Sequence, residues 1–121
     1  MALHLDHSPN FSLVKDCVKT GWTSVMIDAS RFSYLKNIQE TKRVVEYCHK
    51  KRIPVEAELG RLQGIEGWVK TKSSIFTDPI KASEFVAKTG CDSLAVSIGT
   101  SHGAYKFEGK PKLDFKRLKE I

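Results

Sequence analysis

The chain has 121 residues, 40% of them hydrophobic and 28% charged, with a formal charge of +6. That length accommodates one core and is read as a single domain or part of one, spanning 1–121. No apolar run approaches the ~20 residues that cross a bilayer, no basic stretch followed by an apolar one marks a secretory leader, and Lys and Arg are spread without an aromatic-plus-basic platform, which argues against nucleic acid.

The charge has two readings: a solvated lysine-rich surface, or attraction of an anionic substrate such as a sugar phosphate. Cys17, Cys48 and Cys91 are widely spaced and no Cys-x-x-Cys occurs. They fit reduced thiols in a cytoplasmic protein better than a disulfide framework.

In chain order, a first strand is expected from Ala2 to Asp6. A helix follows from Ser8-Pro9, with Leu13, Cys17 and Val18 on one face and Gly21 as its stop. The second strand spans Ser24 to Asp28, and the second helix runs from about Asn37 to His49 with Ile38, Thr41, Val45 and Cys48 on one side. A third strand covers Ile53 to Leu59. The segment from Gly60 to Asp78 is long for a βα connection and reads either as a mobile lid or as a plain flexible insertion. Thr77 or Asp78 then caps a helix with Pro79 in its first turn, ending at Gly90. A fourth strand, Ser93 to Ile98, leads to a last helix near Asp114 with Phe115, Leu118 and Ile121 at helical spacing. The order βαβαβαβα implies a parallel sheet covered by helices. A doubly wound sheet and a (β/α)₈ barrel both satisfy it, and four units amount to half a barrel. The chain is therefore expected to be a piece of a longer protein.

The strand ends carry the chemistry. In "PVEAELG", alternation puts Val55, Ala57 and Leu59 on one face and Glu56 and Glu58 on the other. Two carboxylates on a buried face need a partner or a cation; a wet strand edge would also tolerate them. Asp28 ends its strand and is equally suited to capping the next turn. Gly99 and Gly103 flank His102, which reads as a loop histidine or as part of a site where backbone approaches a ligand. Asp6 with His7, Asp28, Glu58, and His102 follow the carboxyl ends of four different strands. In (β/α) folds those ends converge on one rim, where sites form. Histidines and carboxylates together suit Zn²⁺, Co²⁺ or Fe²⁺.

The segments "LHLDH", "GWTSVMIDAS", "VEAELGRLQGIE", "TDPIKASEFVAKTGCDSLAVSIGTSHGAYKF" and "PKLDFKRL" occur in order along nearly the whole chain. With them the chain resembles the class II, metal-dependent fructose-bisphosphate aldolases and the related tagatose-bisphosphate aldolases. The segment "IGTSHGAYKF" leans toward the fructose branch. The resemblance implies part of a TIM (β/α)₈ barrel, about four central βα units, in a homo-oligomeric cytoplasmic lyase of glycolysis. It implies zinc, a monovalent cation such as Na⁺ or K⁺, and reversible aldol cleavage of fructose 1,6-bisphosphate to dihydroxyacetone phosphate and glyceraldehyde 3-phosphate. By the same resemblance, His7 and His102 are zinc ligands, and Asp28 and Glu58 are acidic residues of the metal pocket. Asp6 exchanges a proton with the C4 hydroxyl, Glu66 in the lid takes the proton from dihydroxyacetone phosphate, and the Gly103 backbone holds the substrate phosphate side. The chain departs from the family pattern at Ser8-Pro9, Arg31, Gln63 and Gly67, and it carries neither the third zinc histidine nor the main phosphate loops. The alternative expectation is a noncatalytic half-barrel that binds metal or pairs with a second copy along its open strand edges.

Overall fold

The computed structural model describes residues 1–61, 63–66, 69–71, 75–102 and 112–121. The elements run β1 (His4–Ser8), α1 (Phe11–Lys19), β2 (Ser24–Ile27), α2 (Tyr34–His49), β3 (Val55–Leu59), β4 (Gln63–Glu66), β5 (Val69–Thr71), α3 (Pro79–Thr89), β6 (Ser93–Val96), β7 (Ser101–His102) and α4 (Phe115–Glu120). The alternation expected from the sequence is present. One sheet has the order β1-β2-β3-β6 and a smaller one the order β5-β4-β7. Both β1 with β2 and β2 with β3 are parallel, and Val25 lies opposite Val55 and Ile27 opposite Ala57. The contacts divide the chain into two compact units, one of Met1–Glu58 with Glu84–Ala95 and one of Leu59–Ser83 with Val96–Ile121.

In the first unit, alternate strand residues Leu5, Val25, Ile27, Val55 and Ala57 are buried, as are Val14, Val18, Val44, Val45 and Cys48 of the helices. Each such Val, Leu or Ile side chain contributes about 1.5–3 kcal/mol relative to exposure. The buried stripe of α1 is Val14 and Val18, whereas the expected Leu13 is 40% exposed. Both stripes have helical spacing, so periodicity alone could not choose between them. The helix starts where Asn10, rather than Ser8-Pro9, accepts from Leu13 N–H at 3.0 Å. Likewise α2 begins at Tyr34 because Ser33 caps it through Lys36 N–H. The expected start at Asn37 is late by one turn.

In the second unit, Asp78 accepts from the N–H groups of Ile80 and Lys81 and starts α3 as the sequence predicts. Asp114 caps α4 in the same way. The stretch from Gly60 to Asp78 is not a bare loop: β4 and β5 pair antiparallel within it, and β4 pairs in parallel with β7. Arg61 and Ile75 add a bridge at its base. Gly60 has φ +100, and a Cβ there would lie 2.7 Å from Thr77 Oγ1 and 2.8 Å from the Ile75 carbonyl. Only glycine satisfies both the dihedral and the space. Phe115, Leu118 and Ile121, which the sequence places at helical spacing, are 68%, 45% and 38% exposed.

Candidate metal centre

β1 does not alternate regularly. Leu5 lies opposite Val25 and Ser8 opposite Ile27, so β1 takes three residue steps where β2 takes two. The extra residue is a β-bulge, and His7 sits in it at φ 45. A left-handed conformation in a residue with a Cβ costs of order 1 kcal/mol. Regular alternation would place His7 beside Leu5, among the core side chains of β2. The bulge reverses that parity. Ser8 enters the core with no exposed surface, and His7 turns to the face that carries Asp28 and Glu58. Asp6, the residue before it, is left with its side chain 77% exposed.

On that face His7 Nδ1 lies 3.4 Å from Asp28 Oδ2 and 3.4 Å from Glu58 Oε2. One ligand atom from each of the three residues falls within 4.8 Å of the others. The strands place them: His7 in the bulge of β1, Asp28 directly after β2, and Glu58 near the end of β3. The backbone ties the first two together, since Asp28 N–H donates to the Ser8 carbonyl at 2.9 Å. Side-chain exposure is 20% for His7, 24% for Asp28 and 6% for Glu58. Burial alone would raise the Asp28 carboxyl. Hydrogen bonds from His7 and from Ser30 outweigh it and hold Asp28 below the usual carboxylate range. Asp28 is therefore ionised at neutral pH.

The three side chains suit a divalent cation. One ring nitrogen faces two carboxylate oxygens, and Glu58 Oε2 is closed to solvent. Tetrahedral zinc with bonds of about 2.0–2.1 Å requires ligand atoms roughly 3.4 Å apart, which is the separation from His7 Nδ1 to each carboxylate. A nitrogen and two oxygens are donors zinc accepts.

One row below, His4 contacts Ser24 Oγ through Nδ1 at 2.9 Å and Glu56 Oε2 through Nε2 at 3.6 Å. Both carboxylates of β3 thus meet a histidine of β1 across β2. Strand alternation pairs Glu56 and Glu58 on one face but gives His4 no partner; its signal is its position three residues before His7, which only the bulge converts into a shared face. Ser30 was also missed, though an Asx turn after a strand-terminal Asp is its signature. Of the other residues singled out in the sequence, Asp6 lies beside the cluster, with Oδ1 3.8 Å from His7 Nε2. Glu66 ends β4 and His102 ends β7, and Gly64 of β4 pairs with His102. The side chains of Glu66 and His102, and hence a joint ion for His7 and His102, lie outside the described residues, as does Gly103.

The family model for class II fructose-bisphosphate aldolase matches residues 1–121. A fructose-bisphosphate aldolase from Helicobacter pylori is 49% identical over 123 residues, covering 100% of this chain and 40% of that protein. One from Staphylococcus aureus is 48% identical over 121 residues, covering 42% of its length. The crystal structure of the YdjI aldolase from Escherichia coli K12 superposes with a TM-score of 0.81 at 39% identity, over 98% of this chain and 39% of that one. The chain spans about 40% of the length of the curated relatives it matches. Its strands and helices are accordingly a portion of an aldolase fold of the TIM-barrel type. The chain belongs to the class II fructose-bisphosphate aldolase family.

Proposed function

We propose that this chain supplies the metal-holding strand ends of a zinc-dependent aldolase. In this reading the enzyme reversibly cleaves fructose 1,6-bisphosphate to dihydroxyacetone phosphate and glyceraldehyde 3-phosphate. The observation that carries the reading is the convergence of His7, Asp28 and Glu58 within 4.8 Å, in a chain matched to the family from end to end.

When bound, zinc supplies Lewis-acid polarisation of the ketone and hydroxyl oxygens of the three-carbon phosphate. His7 offers the nitrogen ligand, and Asp28 and Glu58 offer carboxylate oxygens. Asp28, already ionised, binds a cation without first losing a proton, so zinc affinity at neutral pH carries no proton penalty from that group. Asp6 has the exposure to meet substrate and the proximity to His7 to meet it at the metal. It gives and takes the proton of the C4 hydroxyl as a general acid and base. Glu66 takes the C–H proton of dihydroxyacetone phosphate, which needs an activated carbon acid and a site closed to water. The Gly103 backbone and a monovalent cation hold the phosphate side.

The test is aldol cleavage by the full-length protein with and without EDTA. Cleavage of fructose 1,6-bisphosphate that EDTA abolishes and zinc restores is expected. Turnover indifferent to the chelator would overturn the reading. Glu66→Gln is expected to spare zinc content while suppressing tritium exchange from dihydroxyacetone phosphate; unchanged exchange would move the base elsewhere.

A further inference from the structure

The face of α2 that packs on the sheet is apolar at Val44, Val45 and Cys48, yet one turn earlier it buries a polar pair. Asn37 is 2% exposed and Thr41 is fully buried. Placing an amide and a hydroxyl in a core is unfavourable unless each is hydrogen-bonded, and an aliphatic pair would fill the same helical positions without that requirement. Both bonds of the pair are therefore informative. Asn37 Nδ2 donates to the backbone carbonyl of Glu58 at 2.8 Å. Thr41 Oγ1 donates to Asn37 Oδ1 at 3.1 Å. The first bond fixes which way the amide faces, because a backbone carbonyl only accepts and so must meet the amide nitrogen; Thr41 then restrains the amide oxygen.

The acceptor is the carbonyl of the most buried residue of the cluster. β3 is registered with β2 from Val55 to Ala57, so Glu58 lies one residue beyond the last registered pair. Its backbone is held at that point by a helix side chain. A carboxylate that must approach His7 Nδ1 at 3.4 Å tolerates little drift of its own Cα, since metal–ligand distances are set to about 0.2 Å.

We propose that Asn37 is a positioning residue of the metal centre: from α2, with Thr41 restraining its amide, it fixes the carboxyl end of β3 and so keeps the Glu58 carboxylate at the cation. This rests on the metal-centre reading above. Asn37 touches neither cation nor substrate; it acts through Glu58.

Zinc affinity, read by competition with a chromophoric chelator, and the visible spectrum of the cobalt-substituted protein test this in the full-length chain. Asn37→Leu is expected to weaken zinc about 10-fold or more, the range lost when an outer partner of a ligand is removed, and to alter the cobalt bands. Thr41→Val, which leaves the amide on the Glu58 carbonyl but removes its second restraint, is expected to weaken zinc by less than Asn37→Leu while remaining folded. Val44→Ala, on the same buried helix face, is the control for simple loss of packing: it lowers the melting temperature and leaves affinity and cobalt spectrum unchanged. If Asn37→Leu and Thr41→Val both bind zinc like the parent, or if Val44→Ala weakens zinc as much as Asn37→Leu does, the proposal is wrong. His7→Ala separates the two levels. Zinc retained in His7→Ala overturns the metal-centre reading and the role of Asn37 with it. Zinc lost there but retained in the Asn37 and Thr41 variants overturns the role of Asn37 alone.

Discussion

Two of the histidine–aspartate pairings in the first compact unit look alike on paper and differ in kind. At one end of the sheet, His7 meets Asp28 and Glu58 at the carboxyl ends of β1 to β3. At the amino ends, His49 of α2 meets Asp92, with Nε2 2.8 Å from Oδ2. The second pair is closer, but both partners are 43% exposed, and Asp92 also accepts from Val55 N–H at 2.7 Å. It is a surface ion pair that ties the start of β3 to the residue before β6. The first cluster has longer contacts, a second carboxylate, a ligand atom closed to solvent and a histidine in a left-handed conformation. A short distance thus marks the surface pair, while burial, excess negative charge and backbone strain mark the proposed metal centre. Strain of that kind persists where the surrounding structure enforces it.

The sharpest way to break this distinction is to remove one histidine at a time. His7→Ala should lower zinc affinity by more than about 100-fold, beyond the loss typical of an outer partner. His49→Ala should leave it unchanged. Equal effects, measured by isothermal titration, would mean that proximity of histidine and carboxylate is all that either end offers.

Next in size is stability without metal. Glu58→Gln removes a buried carboxylate that shares one imidazole with Asp28, so metal-free stability should rise by about 1 kcal/mol even as zinc binding falls. Asp92→Asn should shift stability the other way, by less than about 1 kcal/mol, because an amide oxygen still accepts from Val55 N–H more weakly than a carboxylate. Urea denaturation in EDTA reads both. A loss of stability in Glu58→Gln would make that carboxylate a structural group like Asp92.

Much of this was legible in the sequence because it depends on short-range rules. The βα alternation, the capping of α3 by Asp78, the pairing of Glu56 with Glu58 on one face of β3 and the placing of Asp28 at a strand end all follow from periodicity and turn chemistry. The family segments supplied the roles. What was not legible was parity. "LHLDHS" reads as a regular strand in which His4 and Asp6 share a face, and nothing local announces that one residue is extra. The bulge is fixed by pairing with β2, a partner about 20 residues away, and it moves His7 onto the site and Asp6 out of the strand face. Taking Leu13 and Cys17 rather than Val14 as the partners of Val18 failed for a related reason: both stripes fit the helix, and periodicity does not say which one the sheet covers. The exposed face of α4 is a third instance, because helical spacing states which residues align but not what lies opposite them.

The smallest expected effect concerns acid. Burial by itself would raise the Asp92 carboxyl, but the hydrogen bonds from His49 and Val55 N–H, with the charge of His49, hold it below its ordinary value of 3.8. In the unfolded chain the group takes up its proton at that ordinary value, so the unfolded state binds more protons as pH falls through it. The stabilisation is therefore complete above the ordinary carboxylate range, and it is lost as pH descends through 3.8 toward the lower folded value. The pair is almost half exposed, so solvent and salt screen it and the loss is modest. Melting temperature followed from pH 6 downward should fall less steeply in Asp92→Asn than in the parent across roughly pH 5 to 3. Salt should flatten the parent toward the variant. If the two slopes coincide at low salt, Asp92 is a hydrogen-bond acceptor for β3 and its charge contributes nothing, which would sharpen the contrast with Asp28, where charge is what a cation requires.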